Sequence, residues 1–205
     1  MSMVSQIYGR LDDDDEEEDK TQRGPDVLAE RLLETRTVLL SGQVNKELAE
    51  RVVRQLLLLE DKGPEPIKIM IDSPGGDVDA GYAIFDMARF VKPEVWMIGM
   101  GLVASAGALI LLAAPKKRRI AFPNSHYLIH QPLSGLRGVA TEIEIHAREI
   151  EKTRDRINKL IAAETGQPLE RVVKDTDRDY WMGAEDAVSY GLVSRIVSTR
   201  DELGL

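Results

Sequence analysis

From Thr37 onwards, short apolar runs alternate with longer segments in which apolar residues recur every three or four positions. The short runs are typical of buried β-strands, and the longer segments are typical of amphipathic helices. Strands are predicted at 37–40, 67–71, 95–98, 127–129 and 193–197, and helices at 45–61, 77–91, 139–163, 169–174 and 184–190, with a small-residue helix near Ser105. This alternation predicts an α/β fold whose sheet is mostly parallel.

Helical periodicity also predicts which face of each main helix is buried. The residues predicted to face the core are Leu48, Val52, Leu56 and Leu59 in the first helix, Ala80, Ala83, Ile84, Met87 and Phe90 in the second, and Ile143, Ala147, Ile150, Ile157 and Ile161 in the long helix. Asn45 is predicted to cap the first helix, and Asp77 is predicted to begin the second.

The negative charge of the chain is concentrated near its start. The 205 residues carry a net charge of −8, and Asp12 to Asp19 form an unbroken run of eight acidic residues. The remaining 27 acidic residues equal the 27 lysines and arginines, so the rest of the chain is formally neutral. Because such a run repels itself, we predict a flexible acidic arm at 1–26 followed by one domain at 27–205. We interpret the arm as a solvated tail rather than a contact with a basic partner.

Composition and charge disfavour nucleic-acid and membrane functions. A neutral body offers no basic face beyond residues 116–119, which argues against a nucleic-acid partner. The uncharged run at 95–114 is long enough to cross a membrane, but glycines and Ser105 divide it into a strand and a small-residue helix. No membrane span is therefore predicted.

Location and metal content are predicted from residue types. The chain contains no cysteine and starts without the basic and apolar regions of a secretory signal, which favours a reducing, cytoplasmic location. Its three histidines form no H-E-x-x-H motif, and no metal site is predicted.

Ser105 is a candidate nucleophile because it lies among small and apolar residues where a predicted strand gives way to a helix. The backbone can approach such a hydroxyl closely, and the free N–H groups of the helix start lie beside it. A serine on an apolar helix also commonly bonds back to a carbonyl of its own helix. Val103 replaces the first glycine of a G-x-S-x-G elbow, so an α/β-hydrolase is disfavoured.

A catalytic serine also needs a base and an acid. His130 closes the strand at 127–129 and is the favoured base, although His126 has the same strand parity and is not excluded. His146 is interpreted as a surface residue. Spacing does not choose among the four aspartates available as the acid, which are Asp175, Asp177, Asp179 and Asp186.

The turn Ser73-Pro74-Gly75-Gly76 separates a predicted strand from a helix. Paired glycines let backbone N–H groups point at a bound group. Three interpretations of the turn stay open: a phosphate-binding loop, an oxyanion hole, or an ordinary turn without a chemical role. No phosphate-binding motif accompanies the turn.

Five segments of the chain resemble the ClpP family, the proteolytic subunits of ATP-dependent Clp proteases. The segments are DSPGG at 72–76, GLVASA at 101–106, PNSHYLIHQP at 123–132, EIEIHAREI at 142–150 and DTDRD at 175–179. They follow the order and spacing of the family from about Ala29 to Val197. The resemblance implies that Ser105 is the nucleophile, that His130 is the general base and that Asp179 orients it. The backbone N–H groups of Gly76 and Ala106 would form the oxyanion hole.

The resemblance also implies an architecture and partners. The expected fold is a crotonase-like spiral with a protruding handle at about 133–163. The expected assembly is two stacked seven-membered rings around a chamber, with Asp177 and Arg178 pairing across the ring interface. An AAA+ Clp ATPase would deliver unfolded polypeptides and use the ATP, so this subunit would need no cofactor. A ClpP paralogue is a further candidate partner.

Three departures from the family pattern weaken the prediction of the ATPase partner more than that of catalysis. The acidic arm replaces the family's axial loop, Met70 stands where many members have a tyrosine in the ATPase-docking pocket, and Asp72 replaces a common asparagine. The alternatives are a non-catalytic or paralogue-dependent ring subunit, a crotonase-type acyl-CoA enzyme, and a relative of membrane-bound signal-peptide peptidases.

Overall fold

The computed structural model describes residues 27–135 and 137–204. The predicted arm at 1–26, with its acidic run, lies outside the described residues. The helices are α1 Val27–Glu34, α2 Lys46–Lys62, α3 Val78–Phe90, α4 Ala106–Leu111, α5 Ala140–Thr165, α6 Leu169–Asp175 and α7 Ala184–Tyr190. The strands are β1 Thr37–Ser41, β2 Ile67–Ser73, β3 Val95–Ala104, β4 Arg119–Ala121, β5 His126–Ile129, β6 Tyr180–Gly183 and β7 Arg195–Ile196.

The strands form one seven-stranded sheet in which β1, β2, β3, β4 and β7 are parallel neighbours in that order. β5 branches from this path: it pairs in parallel with the second half of β3 and antiparallel with β6. The predicted α/β fold with a mostly parallel sheet is confirmed. The branch is important for the site because it brings β5 and β6 beside the end of β3.

The helix starts follow the predicted capping. The Asn45 side chain accepts a hydrogen bond from the Leu48 N–H at 2.8 Å, and the Asp77 side chain accepts one from the Ala80 N–H at 2.7 Å. Each cap satisfies an amide that has no partner within its own helix. The Asp77 cap therefore fixes the start of α3 directly after the Gly75-Gly76 turn.

The core lies between the sheet and the helices that pack on it. It includes Val38, Ile69 and Met97 from the strands, with Leu56 and Ile110 from the helices, all fully buried. Burial of such side chains contributes roughly 1.5–3 kcal/mol each. This core holds the ends of β2 and β3 in a fixed relation, and the candidate site lies at those ends.

Two helices differ from their predicted faces. In α3, Ala83 is exposed and Phe90 is 73% exposed, whereas Tyr82 and Phe85 are buried. In α5, Ile157 and Ile161 are buried as predicted, but Ile143 and Ala147 are exposed. The buried contacts of α5 are thus confined to its C-terminal half.

Strand lengths also differ from the predictions. β3 continues to Ala104, six residues beyond the predicted end, and the predicted strand at 193–197 is reduced to two residues. The short strands β4 and β6 were not predicted. Within the described part of the chain, no helix is both long and apolar enough to cross a membrane.

Candidate active site

Ser105 lies between the end of β3 and the start of α4, in a strained backbone conformation. Its φ is +54° and its ψ is −119°, and Arg36 is the only other non-glycine residue with positive φ among the described residues. The Ser105 N–H donates to the Leu128 carbonyl at 2.9 Å, which ties this conformation to β5. Strain of this kind persists only where surrounding structure imposes it, and it commonly occurs at functional sites.

His130 reaches Ser105 because β5 runs parallel to the end of β3. Ala104 pairs with Leu128, so the residues that follow the two strands emerge side by side. The His130 Nε2 atom lies 2.9 Å from the Ser105 Oγ atom. His126 stands at the other end of β5, exposed and paired with Gly183, and His146 lies on the exposed part of α5.

Asp179 reaches His130 across the antiparallel pair of β5 and β6. Ile129 pairs with Tyr180, so His130 and Asp179 are the next residues at the same end of the ladder. The His130 Nδ1 atom lies 2.9 Å from the Asp179 Oδ1 atom. The Asp179 side chain is 61% exposed, whereas that of His130 is 15% exposed.

Two of the other candidate acids bind elsewhere. Asp175 accepts a hydrogen bond from the Tyr190 hydroxyl at 3.1 Å, and Asp177 pairs with Arg154 at 3.2 Å. Burial, together with the Asp175 carboxylate, raises the pKa of Tyr190. Asp177 thus has an ion-pair partner within its own chain, and Arg178 beside it is exposed. Of the four aspartates, the structure brings Asp179 into hydrogen-bonding contact with His130.

The Gly75-Gly76 turn packs directly against the Ser105 backbone. Gly75 has φ +89° and Gly76 has φ +148°, so the turn needs glycine at both positions. A Cβ atom on Gly75 would lie 2.5 Å from the Ser105 Cβ atom and 3.0 Å from the Ala106 nitrogen. Ser73 supports the turn: its buried hydroxyl donates to the Gly42 carbonyl at 2.6 Å and accepts from the Gly75 N–H at 3.1 Å.

The amides of Gly76 and Ala106 make none of the backbone hydrogen bonds found in the described segments. Ala106 is the first residue of α4, where the N–H groups have no partner in the helix. Neither amide thus has a backbone acceptor among these bonds, and Ala106 directly follows Ser105 in the chain.

An apolar cavity opens next to the serine hydroxyl. It is lined by Val78, Ser105, Ala106, Ala108, Leu109, Leu112, Ile129, His130, Pro132, Ile157 and Ile161. Such a lining can hold an apolar side chain and offers no charge to a polar one. No group of three or more histidine, aspartate or glutamate side chains in the described ranges could hold a metal ion.

A hydroxyl, an imidazole and a carboxylate linked in this order are the arrangement of a serine hydrolase. Comparison with known proteins narrows this class. The family model for Clp protease matches residues 20–200. The ATP-dependent Clp protease proteolytic subunit 2 of Treponema denticola is 58% identical over 194 residues, covering 94% of this chain and 97% of the relative.

Two further comparisons agree. The ATP-dependent Clp protease proteolytic subunit 3 of Rhizobium etli is 51% identical over 93% of this chain and 99% of the relative. The structure of a ClpP1 mutant from Listeria monocytogenes superposes with a TM-score of 0.81 at 51% identity, covering 86% of this chain and 99% of that one. The chain belongs to the Clp protease family, whose members are serine peptidases.

Residue patterns alone missed two residues near the site. Gln131 and Arg154 both contact Asp177, on the loop that carries Asp179, but neither was assigned a role from the sequence. The position of Gln131 directly after His130 was the available signal, since a residue next to the candidate base lies near the loop whose carboxylate contacts that base.

Proposed function

We propose that this chain is a proteolytic subunit of an ATP-dependent Clp protease, with Ser105 as nucleophile, His130 as general base and Asp179 as the residue that orients His130. The observation that carries the proposal is the continuous hydrogen-bonded chain from Ser105 through His130 to Asp179, with both distances at 2.9 Å. Family membership supports it independently.

In the proposed reaction, the Ser105 oxygen attacks the carbonyl carbon of a peptide bond while His130 takes the hydroxyl proton. The carbonyl oxygen becomes an oxyanion, which accepts hydrogen bonds from Gly76 and Ala106. His130 then donates the proton to the leaving amine as the carbon–nitrogen bond breaks. Water, activated by His130, hydrolyses the acyl-enzyme and restores Ser105. Each oxyanion donor is worth about 3–4 kcal/mol of barrier.

The apolar cavity supports a preference for an apolar side chain next to the cleaved bond. Its lining is aliphatic apart from Ser105 and His130. The expected substrates are unfolded polypeptides, because an extended chain can bring its peptide bonds to a site framed by β5 and β6. We propose that this subunit uses no cofactor and that a partner AAA+ Clp ATPase uses the ATP.

We further propose two stacked rings of seven subunits, with residues 133–163 as the handle between rings and with Asp177 and Arg178 at the ring interface. The exposed apolar side chains Leu133, Val139, Ile143 and Ile145 support contact at this segment. The division into an arm at 1–26 and a domain at 27–205, and a cytoplasmic location, stay predictions from composition and resemblance.

A peptidase assay on the purified assembly tests the proposal. The wild-type protein should cleave a fluorogenic peptide with an apolar residue before the scissile bond, and Ser105→Ala should abolish cleavage. Asp179→Asn should lower kcat by about 10⁴-fold, because the imidazole then takes the wrong tautomer. Size-exclusion chromatography should give the mass of a fourteen-subunit particle for all three proteins. An assembled but inactive wild type would contradict the proposal.

The second candidate function is a ring subunit that needs a paralogue for activity. The numbering of the relatives as subunits 2 and 3 favours it. The same assay distinguishes the two functions: activity of the single purified chain excludes the second, and activity only after mixing with a paralogous subunit supports it.

A further inference from the structure

Of the three side chains in the proposed triad, that of Asp179 is held in place least firmly by its surroundings. Asp179 lies on the loop between α6 and β6, and most of its side chain faces solvent. Its contact with His130 is the hydrogen bond that holds the carboxylate in place. An exposed carboxylate on a short loop keeps a fixed distance to its partner only if the loop backbone is itself held.

Gln131 holds that backbone at two points. Its main-chain N–H donates to the Thr176 carbonyl at 2.7 Å, and its side-chain Nε2 donates to the Asp177 carbonyl at 2.7 Å. Both acceptors precede Asp179 by two or three residues. Pro132 follows Gln131 and favours an extended backbone there, which directs Gln131 along the line of β5 towards the loop.

The far side of the loop is fixed by buried contacts. The fully buried Thr176 hydroxyl lies 2.8 Å from the Asn158 Oδ1 atom and 2.9 Å from the Val172 carbonyl. At the other end, Tyr180 enters the β5–β6 ladder. Between these anchors, the described contacts include one side-chain hydrogen bond to a carbonyl of residues 177–179. The Gln131 amide donates this bond.

We propose that Gln131 is a positioning residue of the triad, whose side-chain amide holds the loop so that Asp179 stays in contact with His130. This inference rests on the proposed function. Gln131 lines a separate cleft with His130 and Asp179 but not the apolar cavity beside Ser105, and its side-chain hydrogen bond is made to the loop, so we infer that it acts through Asp179 rather than on the substrate. Its loss is therefore expected to affect turnover and to leave peptide binding unchanged.

Substitution by methionine tests the role of the amide. Gln131→Met keeps the side-chain length and the backbone hydrogen bond but cannot donate to the Asp177 carbonyl. We expect kcat for the fluorogenic peptide to fall about tenfold with KM within about twofold, since small misplacements of catalytic groups reduce rate strongly. Gln131→Glu should lower kcat at least as much, because a carboxylate does not donate and adds charge beside Asp177 and Asp179.

Gln167→Met is the matched control. Gln167 makes the same kind of bond, from Nε2 to the Tyr190 carbonyl at 2.9 Å, away from the triad. Because Gln167 also accepts a hydrogen bond from Arg171, its loss should lower the melting temperature at least as much as Gln131→Met does, and it should leave kcat unchanged. Equal kcat values for Gln131→Met and wild type would overturn the inference, as would a rise in KM alone. Wild-type protein without any hydrolysis would instead contradict the proposed function.

Discussion

Ser105 combines a reactive position with an unfavourable backbone conformation. Positive φ in a residue with a Cβ atom costs roughly 1–3 kcal/mol, and the contacts of Ser105 with β5 and the glycine turn impose this conformation. The proposed nucleophile thus projects from the strand end in a conformation that lowers stability, as is common where function determines geometry.

This strain predicts an unusual stability order. Ser105→Gly should unfold at a higher temperature than Ser105→Ala, although glycine normally destabilises, because only glycine adopts φ +54° without steric cost. Both variants lack the hydroxyl, so their difference reports the backbone. Calorimetry of the two inactive proteins measures it, and a less stable Ser105→Gly would show that Ser105 is not strained.

The glycine turn offers a second prediction for single residues. Gly75→Ala should abolish cleavage, since the added methyl group would lie 2.5 Å from the Ser105 Cβ atom and 2.7 Å from the Ala104 carbonyl oxygen. Gly166→Ala is the control, because it also has positive φ but its Cβ meets nothing within 4 Å. Both variants should lose stability, and full peptidase activity in Gly75→Ala would disprove close packing of the turn on the nucleophile.

At the scale of single residues, sequence patterns favoured two members of the proposed triad and did not choose the third. Ser105 was favoured by its small neighbours and His130 by its strand end, although His126 was not excluded. Asp179 could not be chosen from spacing because its position depends on β6, and that short strand shows no clear alternation of apolar and polar residues. Without β6, the pairing that puts His130 opposite Asp179 was not predictable, and only the family resemblance selected it.

At the scale of elements, the predicted buried face of α3 was wrong in part, and the error is largest at the end of the helix. The core under α3 is filled by Tyr82, Ile84 and Phe85, so the buried face is rotated relative to the prediction. Phe90 is the last residue of α3, and Val91, which is buried, covers the core there instead. Periodicity reports the face of an ideal helix and does not show where its neighbours end.

The exposed half of α5 predicts an assembly defect. Ile145→Glu should leave the protomer folded, because Ile145 is 56% exposed, but should weaken contact between rings. The measured mass should fall to half that of the wild type while circular dichroism stays unchanged. Lys152→Ala, at an exposed polar position of the same helix, should keep the full mass. Unchanged mass for Ile145→Glu would contradict a role of this half of α5 between rings.

At the scale of the whole molecule, the alternation of strands and helices was enough to predict the fold class. The branch of the sheet was not predictable, because the edge of β3 opposite β2 is shared by two strands, β4 against its first half and β5 against its second. Local patterns do not encode such a division. It arises because β3 extends past the predicted end, and β5 pairs with this extension on the edge that β4 occupies further back along β3.

Alkaline conditions should destabilise the whole fold through Tyr127. Burial raises the pKa of Tyr127 to about 12, above its ordinary value of about 10. Between these pH values the unfolded chain loses the proton while the folded chain keeps it, so the free energy of unfolding falls as pH rises, by about 3 kcal/mol in total. Tyr127→Phe should show a shallower fall between about pH 10 and 12 in denaturant titrations. If the free energy of unfolding fell equally steeply with pH in Tyr127→Phe and in the wild type, Tyr127 would be excluded as the cause of the destabilisation.

Reaction with a fluorophosphonate tests most directly whether Ser105 is the activated nucleophile. A bond from the serine oxygen to phosphorus would form as fluoride leaves, and peptide mapping of the assembled protein should locate the adduct on Ser105. The adduct should be absent from Ser105→Ala and should form far more slowly in Asp179→Asn. An assembled wild type whose intact mass stays unchanged, or an adduct on a different serine, would contradict the proposed triad.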